Sequence, residues 1–83
     1  MNGVVDTARK LDLRGEVCPY TFVKTILTLE KMDSGQVLEV VVDYAPAADN
    51  VPLSVTNRGH SVLEVQQTTP EDWMIRVRKG DGD

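Results

Sequence analysis

At 83 residues, the chain has room for one small core that buries roughly 60% of the surface exposed by its unfolded form. Thirteen acidic against nine basic side chains give a net charge of −4 and a pI near 4.8, a balance that argues against nonspecific binding to nucleic-acid phosphates. One cysteine permits no internal disulfide, the first residues carry neither a basic nor an apolar targeting segment, and no apolar run reaches membrane-spanning length. A reducing, cytoplasmic setting with no membrane partner is therefore expected.

Met1 to Thr7 has no periodicity, and the run from Lys79 and Gly80 to Asp83 is small and polar. Residues 1–7 and 80–83 are expected as flexible ends around a single domain at 8–79. Ala8 to Leu13 reads as a first strand with Leu11 and Leu13 pointing to one side. From Pro19 to Met32, Phe22, Val23, Ile26, Leu27 and Leu29 recur at helical spacing opposite Lys24, Thr25, Thr28 and Lys31, which predicts an amphipathic helix lying on a sheet. Asp33-Ser34-Gly35 stops it. Gln36 to Asp43 follows as a strand dense in β-branched residues, and its nearly continuous apolarity predicts a central position.

Asp49 or Asn50 is expected to cap a second helix with Pro52 in its first turn, Val51 and Val55 facing inward, and Arg58-Gly59 as its stop. His60 to Gln67 alternates through Val62, Leu63 and Val65; Thr68 to Asp72 is a turn; Trp73 to Arg78 alternates as the closing hairpin strand. The order is βαβαββ. It favours a two-layer α/β (α+β) sandwich in which a four-stranded mixed sheet carries both helices on one face and leaves the other partly solvated.

Within that order Cys18 occupies a distinctive place. It precedes Pro19 in Arg14-Gly15-Glu16-Val17-Cys18-Pro19-Tyr20-Thr21, where strand gives way to helix. Proline is tolerated at the first helical position, so Pro19 there makes Cys18 the N-cap. Unpaired backbone N–H groups and the positive end of the helix dipole then favour a thiolate, the nucleophilic form of cysteine. No second cysteine is present to resolve an oxidised intermediate, which argues against a dithiol oxidoreductase.

Four landmarks in order carry a family resemblance: Leu11-Asp12-Leu13-Arg14-Gly15 before Cys18-Pro19, then Gly35-Gln36-Val37-Leu38-Glu39-Val40, then Asp49-Asn50-Val51-Pro52, and Gly59-His60. From about Leu11 to Lys79 the chain resembles the TusA-like (SirA-like) sulfur-carrier family. The resemblance implies a βαβαββ fold and no prosthetic group. It also implies a cysteine, here Cys18, that takes sulfur as a persulfide from a cysteine desulfurase or rhodanese-type donor and passes it to an acceptor protein. One position departs from the family's Cys-Pro-x-Pro motif: Thr21 stands where the second proline belongs. Thr21 brings a backbone N–H and a hydroxyl toward the helix start, which favours thiolate stabilisation, and gives up the stiffness of proline.

The residues around the cysteine have plainer readings beside the functional ones. A lone cysteine is commonly a small buried hydrophobe, and Arg14 is as readily a solvated loop side chain as a group that lowers the Cys18 pKa or contacts a partner. His60 reads as a turn residue, near the site only if the loops converge, and Asp49 reads as a cap rather than an acid. Trp73, Met74 and Phe22 read as packing. Tyr20, directly after Pro19, is expected beside the sulfur on a partner-facing rim. The site is therefore read as Cys18 supported by Arg14, Gly15, Pro19, Tyr20 and Thr21, with no metal. The expected function is a persulfide carrier, a sulfurtransferase if active. The alternative, raised by Thr21, is a noncatalytic adaptor of the same fold; a nucleic-acid-binding module lacks the aromatic and basic stripe it would need.

Overall fold

The computed structural model describes residues 9–17 and 20–80. Six elements follow in chain order: β1 (Arg9–Asp12), α1 (Tyr20–Glu30), β2 (Val37–Val42), α2 (Ala47–Asn57), β3 (Ser61–Thr69) and β4 (Asp72–Arg78). The sheet order is β1-β2-β4-β3. β1 lies parallel to β2, with Leu11 opposite Val40, and β4 lies antiparallel to both β2 and β3. The four-stranded mixed sheet and two helices are those expected. The strand start at Ala8, Pro19 as the first helical residue, Cys18 as its cap and the looseness of 1–7 and 81–83 fall outside the described residues.

β2 is central, as its β-branched run predicts, and its residues alternate all the same. Leu38, Val40 and Val42 are fully buried, whereas Val37, Glu39 and Val41 are half-buried on the opposite face. The buried set joins Ile75 and Val77 of β4, Ile26 and Leu29 of α1, and Val51 and Val55 of α2 in one core. On the uncovered face Glu39, Arg76 and Glu64 stand opposite one another across three strands, and Arg76 bonds both carboxylates.

The inward face of α1 differs from the one expected. Val23 and Leu27 are exposed, and the buried residues are Thr21, Thr25, Ile26 and Leu29. Thr25 can face the core because its hydroxyl donates to the Thr21 carbonyl one turn back, at 2.8 Å. With its polar group satisfied, it packs its methyl as valine would. The helix ends against a lysine from the far end of the chain: the Lys79 ammonium donates to the Leu29 carbonyl at 2.6 Å.

α2 begins earlier than the expected cap at Asp49 or Asn50. Tyr44, Ala45 and Pro46 carbonyls accept the amides of Ala47, Ala48 and Asp49 at 2.9–3.2 Å, so a tight turn starts the helix without a side-chain cap. Asp49 lies in the first turn, near the positive end of the dipole. Pro52 lies inside the helix, where it removes the bond to the carbonyl four residues back. Val51 and Val55 face inward and Gly59 follows at φ 91°, as expected.

The turn between β3 and β4 is also shorter than expected. Thr69 pairs with Asp72 across Pro70-Glu71, and the Thr69 hydroxyl accepts the amides of Glu71 and Asp72 at 3.1 and 3.0 Å. Gly80, read as the first residue of a flexible end, is bound instead, as is Lys79 before it. Lys79 exchanges backbone hydrogen bonds with Gly35 and Gln36, and the Gly80 amide donates to His60 Nδ1 at 3.0 Å.

Candidate functional site

The carboxyl end of β1 runs into the loop that leads to Cys18. Leu13 extends the ladder by one bond, its amide donating to the Val41 carbonyl at 2.8 Å, and its side chain is buried. The next residues are fastened individually. Arg14 turns back on Asp12: its backbone amide and Nε meet Asp12 Oδ1 at 3.1 and 3.0 Å, and Nη2 meets Oδ2 at 2.8 Å. Gly15 takes φ 92°, a conformation costly for any residue with a Cβ, and its amide donates to Asp43 Oδ1 at 2.8 Å. The Glu16 amide bonds the Leu13 carbonyl, and its carboxylate pairs with Lys24 of α1 at 2.8 Å.

The other side of Cys18-Pro19 is equally defined. The Tyr20 amide, first in α1, donates to the Val17 carbonyl at 2.8 Å, so this hydrogen bond brackets the pair. Val17 and Tyr20 are 47% and 56% exposed, which leaves apolar surface on both sides of the pair. Thr21 is fully buried, and its carbonyl receives the Thr25 hydroxyl. Cys18 and Pro19 themselves lie outside the described residues.

The electrostatics of the loop centre on Asp12 and Arg14. Hydrogen bonds from the Arg14 side chain, then from its backbone amide, hold the Asp12 carboxyl at about 2, below its ordinary 3.8. The same bond, together with the charges of Asp12, Asp72 and Asp43, raises the Arg14 pKa. Arg14 is thus an ion-paired loop residue, with its guanidinium held by Asp12.

Of the residues expected around the site, the structure brings Arg14, Gly15, Tyr20 and Thr21 to the stretches flanking Cys18. His60 is not among them. It precedes β3, whose first residue pairs with Arg78 at the end where β2 begins, whereas the loop lies where β1 and β2 end. Two contacts escaped the sequence reading, Asp43 with Gly15 and Glu16 with Lys24. Asp43 closes the apolar run of β2, 28 positions from Gly15, and Glu16 and Lys24 lie eight residues apart; no local pattern marked either contact. Among the described residues no cluster of three or more His, Cys, Asp or Glu side chains is arranged to hold a metal.

Residues 9–79 match the family model described as sulfurtransferase TusA. The chain belongs to the TusA family. Within it, the chain is 45% identical over 75 residues to a candidate sulfur carrier protein of Archaeoglobus fulgidus, a match spanning 90% of this chain and 85% of the other. It is 41% identical over 61 residues to the candidate sulfur carrier YedF of Escherichia coli, covering 74% and 79% of the two chains. The crystal structure of a SirA-like protein from Desulfitobacterium hafniense superposes with a TM-score of 0.76 at 20% identity, over 87% of this chain and 97% of that one. That likeness carries the fold. No helix of the described residues is long and apolar enough to cross a membrane.

Proposed function

We propose that this TusA-family chain is a sulfur carrier whose Cys18 takes up sulfane sulfur from a donor protein and relays it to an acceptor protein. The observation that carries the reading is the placement of the chain's one cysteine, between a loop pinned to the sheet and the first turn of α1, in a family whose relatives bear the sulfur-carrier name. In the first step the Cys18 thiolate attacks the outer sulfur of a donor persulfide. A Cys18 S–S bond forms, the donor's S–S bond breaks, and the donor leaves as a thiolate. The second step repeats the exchange, with an acceptor thiolate attacking the outer sulfur and Cys18 leaving.

Each residue then has a stated part. Cys18 is the nucleophile. Backbone N–H groups at the start of α1 support its thiolate form, which suits a helix N-terminus. Arg14, neutralised by Asp12, contributes to loop shape more than to thiolate charge. Gly15 makes the bend, Pro19 starts the helix, Thr21 anchors the first turn in the core, and Tyr20 with Val17 forms an apolar rim for partners. The domain at 8–79 works in a reducing compartment, where a lone thiol stays available.

Intact-protein mass spectrometry tests this after incubation with a cysteine desulfurase and cysteine, or a rhodanese and thiosulfate. Wild type should gain one sulfur, removable by reductant, and Cys18→Ser should gain none. Absence of the gain with both donors, while a family member with Cys-Pro-x-Pro is loaded, would overturn the carrier reading in favour of an adaptor.

A further inference from the structure

We propose that Asp43 is a positioning residue for the Cys18 loop, acting through the backbone of Gly15; this rests on the persulfide reading above. Asp43 directly follows β2, the central strand, and its Oδ1 accepts the Gly15 amide at 2.8 Å across 28 positions of sequence. The contacts of Arg14 and Glu16 with Asp12, Leu13 and Lys24 join the loop to its own neighbourhood. The Asp43 bond instead ties it, three residues before Cys18, to the strand with the most buried side chains.

The bond falls where the backbone most needs holding. Gly15 is at φ 92° with open space around the position of a Cβ, so no side-chain packing keeps it there. A backbone N–H bonded to a carboxylate is stronger than one bonded to a neutral acceptor and fixes that peptide's direction. Sulfur transfer requires the attacking thiolate to lie in line with the donor's S–S bond, and displacements near 1 Å cost such reactions about a hundredfold. A loop anchored on a rigid strand meets the donor in one arrangement.

Charge is not the means. The ionised groups around the loop are Asp12 and Arg14, Glu16 with Lys24 of α1, and Asp72 at the start of β4. Asp43 adds another negative charge, which opposes a thiolate, so its benefit comes through the hydrogen bond. Asparagine and alanine therefore separate the two effects. Both remove the charge, but asparagine keeps an oxygen acceptor in place.

Two readouts test this in the full chain: the rate of Cys18 persulfide formation with a cysteine desulfurase and cysteine, and the pH midpoint of Cys18 alkylation by iodoacetamide. Asp43→Ala should load about tenfold more slowly and alkylate with a higher midpoint than Asp43→Asn, which should load within about threefold of wild type. Circular dichroism establishes that both variants are folded at the assay temperature. Equal rates and equal midpoints for the two variants, whether at wild-type values or away from them, would overturn the positioning role. If wild type is loaded by no donor, the persulfide reading fails, and the alkylation contrast alone decides the role of Asp43.

Discussion

Arg76 is the most informative side chain to remove from the uncovered sheet face. Its Nε and Nη2 meet Glu39 Oε2 at 3.2 and 2.8 Å, and its Nη1 meets Glu64 Oε1 at 3.0 Å. The two carboxylates lie on the strands flanking β4, each directly opposite Arg76. Cross-strand ion pairs contribute roughly 0.2–1 kcal/mol, with less from exposed ones. The Glu39 side chain is 20% exposed and doubly bonded, and that of Glu64 is 41% exposed and singly bonded. We therefore expect couplings of about 1 kcal/mol for Glu39 and about 0.4 kcal/mol for Glu64. Arg76→Met keeps the apolar stem and loses both, so it should cost about 1.5 kcal/mol and lower the melting temperature by about 6–12 °C. Urea unfolding of Arg76→Met, Glu39→Gln, Glu64→Gln and the two double variants measures the couplings directly. Raising salt should weaken the Glu64 coupling more, because exposed pairs are screened more. A Glu64 coupling equal to or above that of Glu39 would refute the ranking by exposure and geometry.

Thr21→Pro, which creates the Cys-Pro-x-Pro motif that the resemblance implies, should fold cooperatively within about 1.5 kcal/mol of wild type, since first-turn proline gains about 0.4–1 kcal/mol through the unfolded state and a lost neutral hydrogen bond costs a similar amount. A loss above about 3 kcal/mol in urea unfolding would mean that buried Thr21 is held by more than helix-start geometry. Asp12 should titrate near 2 by carboxyl NMR, and Arg14→Met should return it toward 3.8. Because the folded value is the lower one, the stabilisation from this pair is present above about pH 4 and disappears as pH falls through about 2; an unchanged Asp12 midpoint in Arg14→Met would remove Arg14 as the cause. Lys79→Met should cost about 1–2 kcal/mol by removing the ammonium from the Leu29 carbonyl. Hydrogen exchange should quicken in the last turn of α1, and unaltered protection there would discount the contact.

The parts of this fold that were legible in the sequence are those set by short-range chemistry. The β-branched run of Gln36 to Asp43 identified the central strand, Gly59 stopped the second helix, and Cys18-Pro19 stood out at a junction between strand and helix patterns. Boundaries and faces were less legible wherever a polar group satisfied itself locally. Thr25 looked like a solvent residue and is in the core because its hydroxyl bonds its own helix. Val23 and Leu27 consequently turned outward. Carbonyls from Tyr44 to Pro46, rather than a side-chain cap, begin α2, so the helix starts before the cap that Asp49 or Asn50 suggests.

The same division runs through the candidate site. Residue identity alone determined that the chain offers one thiol, that a proline follows it, and that a flexible glycine lies three residues before it. Those features depend only on covalent chemistry and on the conformations each residue permits. The tertiary structure decided which distant groups meet the loop. Parallel pairing of β1 with β2 brings Asp43 to Gly15, while the register of β3 with β4 puts His60 at the opposite end of the sheet. Local pattern cannot encode such meetings, because they follow from the order and register of strands brought together by burial of a shared core.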